Sequence, residues 1–228
     1  MSRRLLVIDT ATRRAVVALA DGDGALVGTR TWDSPHRHGE HLLTQLDSLL
    51  AEAGLSPDRI ELVAVGAGPG SFTGLRIGLA TAMVIAYTVG CPIIGLSTTA
   101  ALARAALAEG SLAVVLPAGA ADRYVARYQS GRELAPPRLA QSTQVQAVLE
   151  HGDAVAAVDL ADDELGRSAA ALGRQAQEGM AAALATMSAE ALAAGRADEL
   201  AALVPSYVAL PRGVAAGEPE MAWSPDLR

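Results

Sequence analysis

Gly66-Ala67-Gly68-Pro69-Gly70-Ser71-Phe72-Thr73-Gly74-Leu75-Arg76-Ile77-Gly78 decides the reading of this 228-residue chain. It follows the apolar run Leu62-Val63-Ala64-Val65 and opens a longer apolar segment from Leu75 to Val89. A strand, a glycine-rich turn and a helix start are expected in that order. Two common meanings of such a turn are excluded. A phosphate-binding P-loop ends in Gly-Lys-Ser/Thr, and its lysine reaches the phosphates. Here that place reads Gly70-Ser71-Phe72, and all 18 basic residues are arginine. The dinucleotide pattern G-x-G-x-x-G fails in register, because Gly68-x-Gly70 is followed by Ser71, Phe72 and Thr73. No strand ends in an acidic residue at the distance that a ribose-binding carboxylate needs.

The helix after the turn carries its own signal. Gly74, Gly78, Ala82 and Ala86 are spaced by four residues and form a narrow ridge without bulk. Another element can pack closely on such a ridge. The remaining faces hold Leu75, Ile77, Leu79, Met83, Val84, Ile85 and Tyr87, so the helix is apolar all round and must be covered on every side. Spacing alone favours cover from within the chain. By length the helix falls short of a membrane span of about 20 apolar residues.

Just over half of the chain is hydrophobic, enough for a large core, and the net charge is −7. An acidic chain is a poor direct binder of nucleic acid, whose backbone is held by clustered positive charge. The single cysteine, Cys91, excludes an internal disulfide and a cysteine-based zinc site. The apolar run before Asp9 is too short for a secretory signal, so a cytoplasmic location is expected.

Leu5 to Ile8, Ala15 to Ala20 and Ala25 to Trp32 read as strands, with a hairpin at Asp21-Gly22-Asp23-Gly24. Leu42, Leu43, Leu46, Leu49 and Leu50 follow helical spacing between Gly39 and Ala53. The first ninety residues thus order as β-β-β-α-β-α. Ile93 to Leu96 is a further strand, and Ser97 caps a helix to about Ala108. Ala113 to Leu116, Tyr124 to Tyr128 and Val155 to Val158 read as strands, residues 131–142 as a proline-containing loop, and Gln175 to Ala194 as a helix. Ser206-Tyr207-Val208 is the last strand signal, before an irregular tail.

Ile8-Asp9-Thr10-Ala11-Thr12, taken with Gly68 to Gly78, resembles the TsaB (YeaZ) family of the actin-like ATPase (ASKHA) superfamily. His38-Gly39-Glu40-His41-Leu42-Leu43 resembles the family's His-Ser-Glu-x-Leu-Leu, and Ile94-Gly95-Leu96-Ser97-Thr98 its Ile-Gly-Val-Ser-Thr. The likeness is dense from about Leu5 to Ala103 and thin beyond. Pro205-Ser206-Tyr207-Val208 matches the family's Pro-x-Tyr-Leu-Arg except that Ala209 replaces the arginine. Pro117-Ala118-Gly119, with Asp122-Arg123-Tyr124 after it, stands for Asp-Ala-Arg and Glu-Val-Tyr, and Val158-Asp159-Leu160 for Gly-Asp-Gly.

The resemblance implies an α/β fold of two lobes, each derived from a β-β-β-α-β-α unit. Residues 1–103 would form the first, and 104–228 a degenerate second whose last segment returns to the first. It implies a non-catalytic subunit that pairs with a TsaD catalytic paralogue in making N6-threonylcarbamoyladenosine in tRNA, with the ATPase TsaE joining. tRNA would be met only through the complex, and no membrane is involved; apart from the resemblance, an exposed apolar face on the same helix is compatible with a homodimer of the free chain, which the sequence leaves open. No cofactor of its own is implied, ATP or ADP and a divalent metal being bound mainly by partner subunits. The implied partner surface is Gly74, Leu75, Gly78, Leu79, Ala82, Met83 and Ala86, with His38 and Leu42 from the preceding helix. Bulk added at Gly78 or Ala82 would then spare the fold and abolish pairing.

Asp9 stands where actin-like ATPases carry a carboxylate near metal-bound phosphate. A vestigial nucleotide site at the partner boundary would draw on Asp9, Thr10, Thr12, Gly68, Gly70 and Ser71. Against autonomous hydrolysis, no glycine-rich phosphate loop follows residue 100, and Asp9 and Thr10 have local capping roles open to them. His36, His38 and His41 are expected to be solvated or capping rather than metal ligands, and Ser71 lacks a recognisable His/Asp pair. No catalytic residue is therefore assigned. The alternative is a stand-alone actin-like phosphotransferase acting on a small molecule.

Overall fold

The computed structural model describes residues 4–33, 38–106, 109–149 and 152–206. β1 (Arg4–Asp9), β2 (Arg14–Asp21) and β3 (Leu26–Asp33) form an antiparallel meander. Gly24 takes φ +88° in the second hairpin, a conformation that L side chains rarely adopt. α1 (His38–Glu52) lies over this meander, and β4 (Ile60–Gly68) joins parallel to β1. α2 (Phe72–Val89) and β5 (Ile93–Ser97), parallel to β4, complete a sheet of order β3-β2-β1-β4-β5. Ser71 caps α2 by accepting from the Gly74 N–H, and Gly90 closes it in the left-handed conformation.

The second half repeats this plan. After α3 (Thr98–Ala105) come β6 (Ser111–Ala118), β7 (Asp122–Gln129) and β8 (Arg132–Gln141). α4 (Val145–Val148), β9 (Ala154–Ala157) and α5 (Arg167–Ala193) follow. The second sheet has the order β8-β7-β6-β9, with β6 parallel to β9. An antiparallel meander followed by helix, parallel strand and helix thus occurs twice, which is the doubled unit of an actin-like α/β fold.

Side-chain alternation sorts the layers. Leu6, Ile8, Val17, Leu19, Val63 and Val65 pack with residues of α1 and α2. Leu5, Val7, Val16, Ala18, Leu62 and Ala64 belong to a separate core with Leu102 of α3, Met180 and Leu184 of α5, and Leu112, Val114 and Tyr128 of the second sheet. The layers run α1/α2, first sheet, α3/α5, second sheet, α4. Because both faces of the first sheet are covered, its inner strands read as apolar runs. A buried polar link reinforces the middle layer: Tyr128 OH donates to Thr99 Oγ1 at 2.9 Å. Past α5 the chain meets the first sheet again. Asp198 N–H donates to the Ile93 carbonyl at 2.8 Å, and Ser206 N–H to that of Ala67 at 2.7 Å.

Three expectations change. Residues 131–142 are mostly strand, not loop: Pro136 and Pro137 lie in β8, an edge strand whose register shifts opposite Val125 to Arg127. Edge strands and bulges tolerate prolines because the missing N–H breaks no ladder bond. The long helix starts at Arg167 rather than Gln175. Gly173 sits inside α5, where a Cβ would lie 1.8 Å from the Ala157 carbonyl oxygen. Finally, α2 at 18 residues is long and apolar enough to cross a membrane by length and composition, but its inner side is packed in the core. His36, the strand signal beyond Ser206 and the tail lie outside the described residues.

Gly173→Ala is expected to push α5 off β9 and lower stability by about 1–3 kcal/mol, read as a lower urea midpoint. An unchanged midpoint would mean that the helix shifts without cost.

Candidate functional site

The expected nucleotide-site residues converge where β1 and β4 end, beside the starts of α2 and α3. Asp9 is fully buried and is held from two sides. Ala11 N–H donates to Oδ1 at 2.8 Å, and Thr98 Oγ1 donates to Oδ2 at 2.9 Å. Thr98 Oγ1 in turn accepts from Gly68 N–H at 3.2 Å. Gly66 makes the space: a Cβ there would lie 1.8 Å from Asp9 Oδ2. Burial pushes the Asp9 carboxyl up to about 6, against the opposing pull of the Ala11 N–H and the Thr98 hydroxyl.

Thr10 is equally committed. Its hydroxyl donates to the Gly74 carbonyl at 2.7 Å. A Cβ at Gly74 would lie 1.9 Å from the Thr10 carbonyl oxygen, and one at Gly78 would lie 2.4 Å from Thr10 Oγ1. Ser71 N–H donates to the Ala11 carbonyl at 2.7 Å, and at Gly70 a Cβ would come within 2.4 Å of that same oxygen. Thr12 Oγ1 donates to the Arg14 carbonyl at 2.9 Å.

These contacts reverse the reading of the ridge. Gly74, Leu75, Gly78, Leu79, Ala82 and Ala86 are buried inside the chain, against β1, β4 and their own core, so they are not a partner surface. Leu42 is buried in the same core, and Met83 is half-buried against it. The spacing reported a close approach correctly but not to which neighbour. A side chain at Gly78 therefore meets the Thr10 hydroxyl inside the chain rather than a partner. His38 stands in the first turn of α1, and its side chain lies outside the described residues.

The opposite side of α2 is open. Val84 and Tyr87 are 65% and 79% exposed, and Ala80 lies one turn before Val84 on the same side. α1 runs beside α2, and its Leu43 is 62% exposed. No periodicity rule singled out this side, because every face of α2 is apolar in sequence.

Across the site stands Asp159, the residue after Val158 beyond the end of β9. Its Oδ2 accepts from Arg13 N–H at 2.7 Å, and its Oδ1 accepts from Gln177 Nε2 of α5 at 2.8 Å. A nucleotide does not fit this arrangement. The N–H groups of Ala11, Arg13, Gly68, Ser71 and Gly74 already have partners within the chain, and Asp9 is sealed from solvent. Among the described residues, no group of three or more His, Cys, Asp or Glu side chains is placed to hold a metal.

Known proteins bear out the fold and supply the family. A family model described as TsaD, tRNA N6-adenosine threonylcarbamoyltransferase, matches residues 33–223. The tRNA threonylcarbamoyladenosine biosynthesis protein TsaB of Escherichia coli is 38% identical over 129 residues, 55% of each chain. An uncharacterized protein of Mycobacterium leprae is 33% identical over 144 residues, 62% of this chain and 40% of that one. The chain thus spans about half the length of the curated relatives it matches. In structure it is similar to YeaZ from Pseudomonas aeruginosa, with a TM-score of 0.72 at 23% identity over 90% of this chain and 99% of that one.

The raised Asp9 carboxyl makes stability depend on pH with a definite sign. The folded chain holds the proton more tightly than the unfolded one, so Asp9 favours folding most below about 3.8. That contribution is lost as pH rises to about 6 and is constant above. Two units correspond to about 3 kcal/mol. Asp9→Asn is expected to lack this slope, so its stability relative to the parent improves by that order across the window. Urea midpoints at intervals across it check this, and parallel profiles would show that Asp9 does not titrate there.

Proposed function

The chain belongs to the TsaD family, described as tRNA N6-adenosine threonylcarbamoyltransferase, and from that membership we propose that it is the scaffold subunit of the machinery making N6-threonylcarbamoyladenosine in tRNA. In this reading it performs no chemistry itself. It pairs with a larger TsaD-like catalytic paralogue, and a TsaE-like ATPase joins the pair. ATP or ADP and a divalent metal are held mainly by those partners, and tRNA is met through the assembled complex in the cytoplasm. The printed name of the Escherichia coli relative supports the pathway. The net charge of −7 supports indirect contact with tRNA.

The observation that carries the reading is the open apolar side of α2. Val84 and Tyr87 project from a helix whose other side is locked to its own sheet, with Leu43 of α1 also exposed. Exposed apolar side chains on a rigid helix are what an interface core requires, and tyrosine is a frequent energetic anchor there. The same side would join two copies of the chain when the paralogue is absent. A stand-alone phosphotransferase is disfavoured, because the site spends its hydrogen-bond donors internally.

Depletion of the protein is expected to remove N6-threonylcarbamoyladenosine from bulk tRNA, measured by nucleoside mass spectrometry. Unchanged levels after verified depletion would remove the chain from that pathway. Val84→Glu and Tyr87→Glu, both on exposed positions, are expected to keep the circular dichroism and melting profile of the parent. Each should weaken capture of the TsaD-like paralogue about tenfold or more. Gly78→Leu is expected instead to yield unfolded protein. Undiminished capture by both glutamate variants would overturn the assignment of this side as the interface.

A further inference from the structure

β5 is an outer strand of the first sheet, and an outer strand leaves one row of backbone groups unpaired unless something covers them. The chain covers this row itself, with residues 196–206 as they return from α5. Gly195, at φ +65°, turns the chain out of the helix. Asp198 then pairs with Ile93 as a single antiparallel bridge, its N–H donating to the Ile93 carbonyl at 2.8 Å. Its Oδ2 accepts from Gly95 N–H at 2.7 Å, in place of the carbonyl that a neighbouring strand would supply. At the far end of the segment, Ser206 N–H donates to the Ala67 carbonyl at 2.7 Å, beside the turn that leads into α2. Between these fastenings the segment has a turn of its own, in which the N–H groups of Ala202 and Leu203 donate to the Glu199 carbonyl at 3.0 and 3.1 Å. Leu200 and Leu203 pack on the α1/α2 core. Gly95 makes room, since a Cβ there would lie 2.8 Å from Leu203 Cδ1. The attachment is thin: Leu200, Leu203 and Pro205 are half-buried, and the rest of residues 196–206 is exposed. Few buried contacts and exposed hydrogen bonds mark a segment that opens at low cost.

We propose that residues 198–206 are a latched strap, a unit that opens in one piece while both sheets stay folded, with Asp198 as its latch. Shut, the strap closes the β5 edge to backbone pairing with another chain and braces the turn before α2 from outside. Open, it frees the Ile93 carbonyl, the Gly95 N–H and the Ala67 carbonyl together. A carboxylate suits the latch. It satisfies the Gly95 N–H as a strand would, yet a charge on a sheet edge discourages further strands from adding. This device is separate from the scaffold role and does not depend on it.

The test is amide hydrogen exchange of the full chain in low urea, read at Gly95, Asp198 and Ser206, with amides of β1 and β4 as the folding reference. In the parent protein the three are expected to share one urea slope and to exchange faster than the reference. Asp198→Ala removes the latch at an exposed position. Ser206 should then exchange about tenfold faster, although its own partner at Ala67 is untouched, and the reference should hold. Leu203→Ala removes packing instead of the latch. It should speed Gly95 and Ser206 by one common factor, so the conclusion does not rest on a single variant. Ser206 at the parent rate in Asp198→Ala would overturn the proposal, leaving only a local bond at Gly95. So would Gly95 and Ser206 that exchange in the parent only together with the reference amides, since the segment would then open only when the whole chain unfolds.

Discussion

The carbonyl oxygen of Thr10 leaves no room for a side chain at position 74. That single steric fact sets the height of α2 above the first sheet, and the Thr10 hydroxyl, bonded to the Gly74 carbonyl, sets its rotation. Rotation decides which residues of a uniformly apolar helix are inside. Leu75, Leu79, Ala82 and Ala86 go in, and Val84 and Tyr87 are left out. The second half uses the same device, with Gly173 of α5 against the Ala157 carbonyl. In both halves a helix is laid onto a strand end without a Cβ between them, and the close packing this allows is characteristic of protein interiors.

Around that contact the polar groups are closed into short circuits. Asp9, Thr98 and Gly68 form one, Thr10 and Gly74 another, and Ser71 and Ala11 a third. Buried polar groups need partners, and here these groups find them within the chain itself. Residue types that in another member of such a fold would attend a phosphate act here as braces. Asp9 illustrates the conversion: its oxygens are satisfied by two donors, yet its burial still disfavours the charge.

Most of the fold could be read from the chain because its signals are local. Leu5 to Ile8 and Ala15 to Ala20 are apolar runs of strand length, Asp23-Gly24 marks the hairpin, and the first two helices end close to the expected Ala53 and Val89. What could not be read depends on contacts distant in sequence. The first turns of α5, from Arg167, were missed, since nothing nearby announces the strand on which Gly173 packs. Pro136 and Pro137 looked like loop, because edge position is a property of the sheet and not of the strand. The residues expected at a nucleotide site, Asp9 through Ser71, come together in space because they sit in two segments, the end of β1 and the turn after β4. The direction of the ridge was missed because four-residue spacing gives the same pattern for a helix facing its own sheet and for one facing a partner. Asp159 was noticed only as a departure from a motif; its bond to Arg13 lies across the whole chain.

α5 has a consequence for how fast this molecule meets anything else. It shares one core with both sheets, so the two halves are joined by a common packed interior in addition to the separate cores under α1/α2 and α4. The open side of α2 is therefore carried by a stiff body and presented already formed. A surface of that kind gives up little conformational entropy on docking. Its encounter rate should be that of rigid patches finding their orientation, on the order of 10⁵–10⁷ M⁻¹s⁻¹. Differences in the lifetime of the complex, rather than in the speed of its formation, would then be where natural variation at Val84 and Tyr87 is felt.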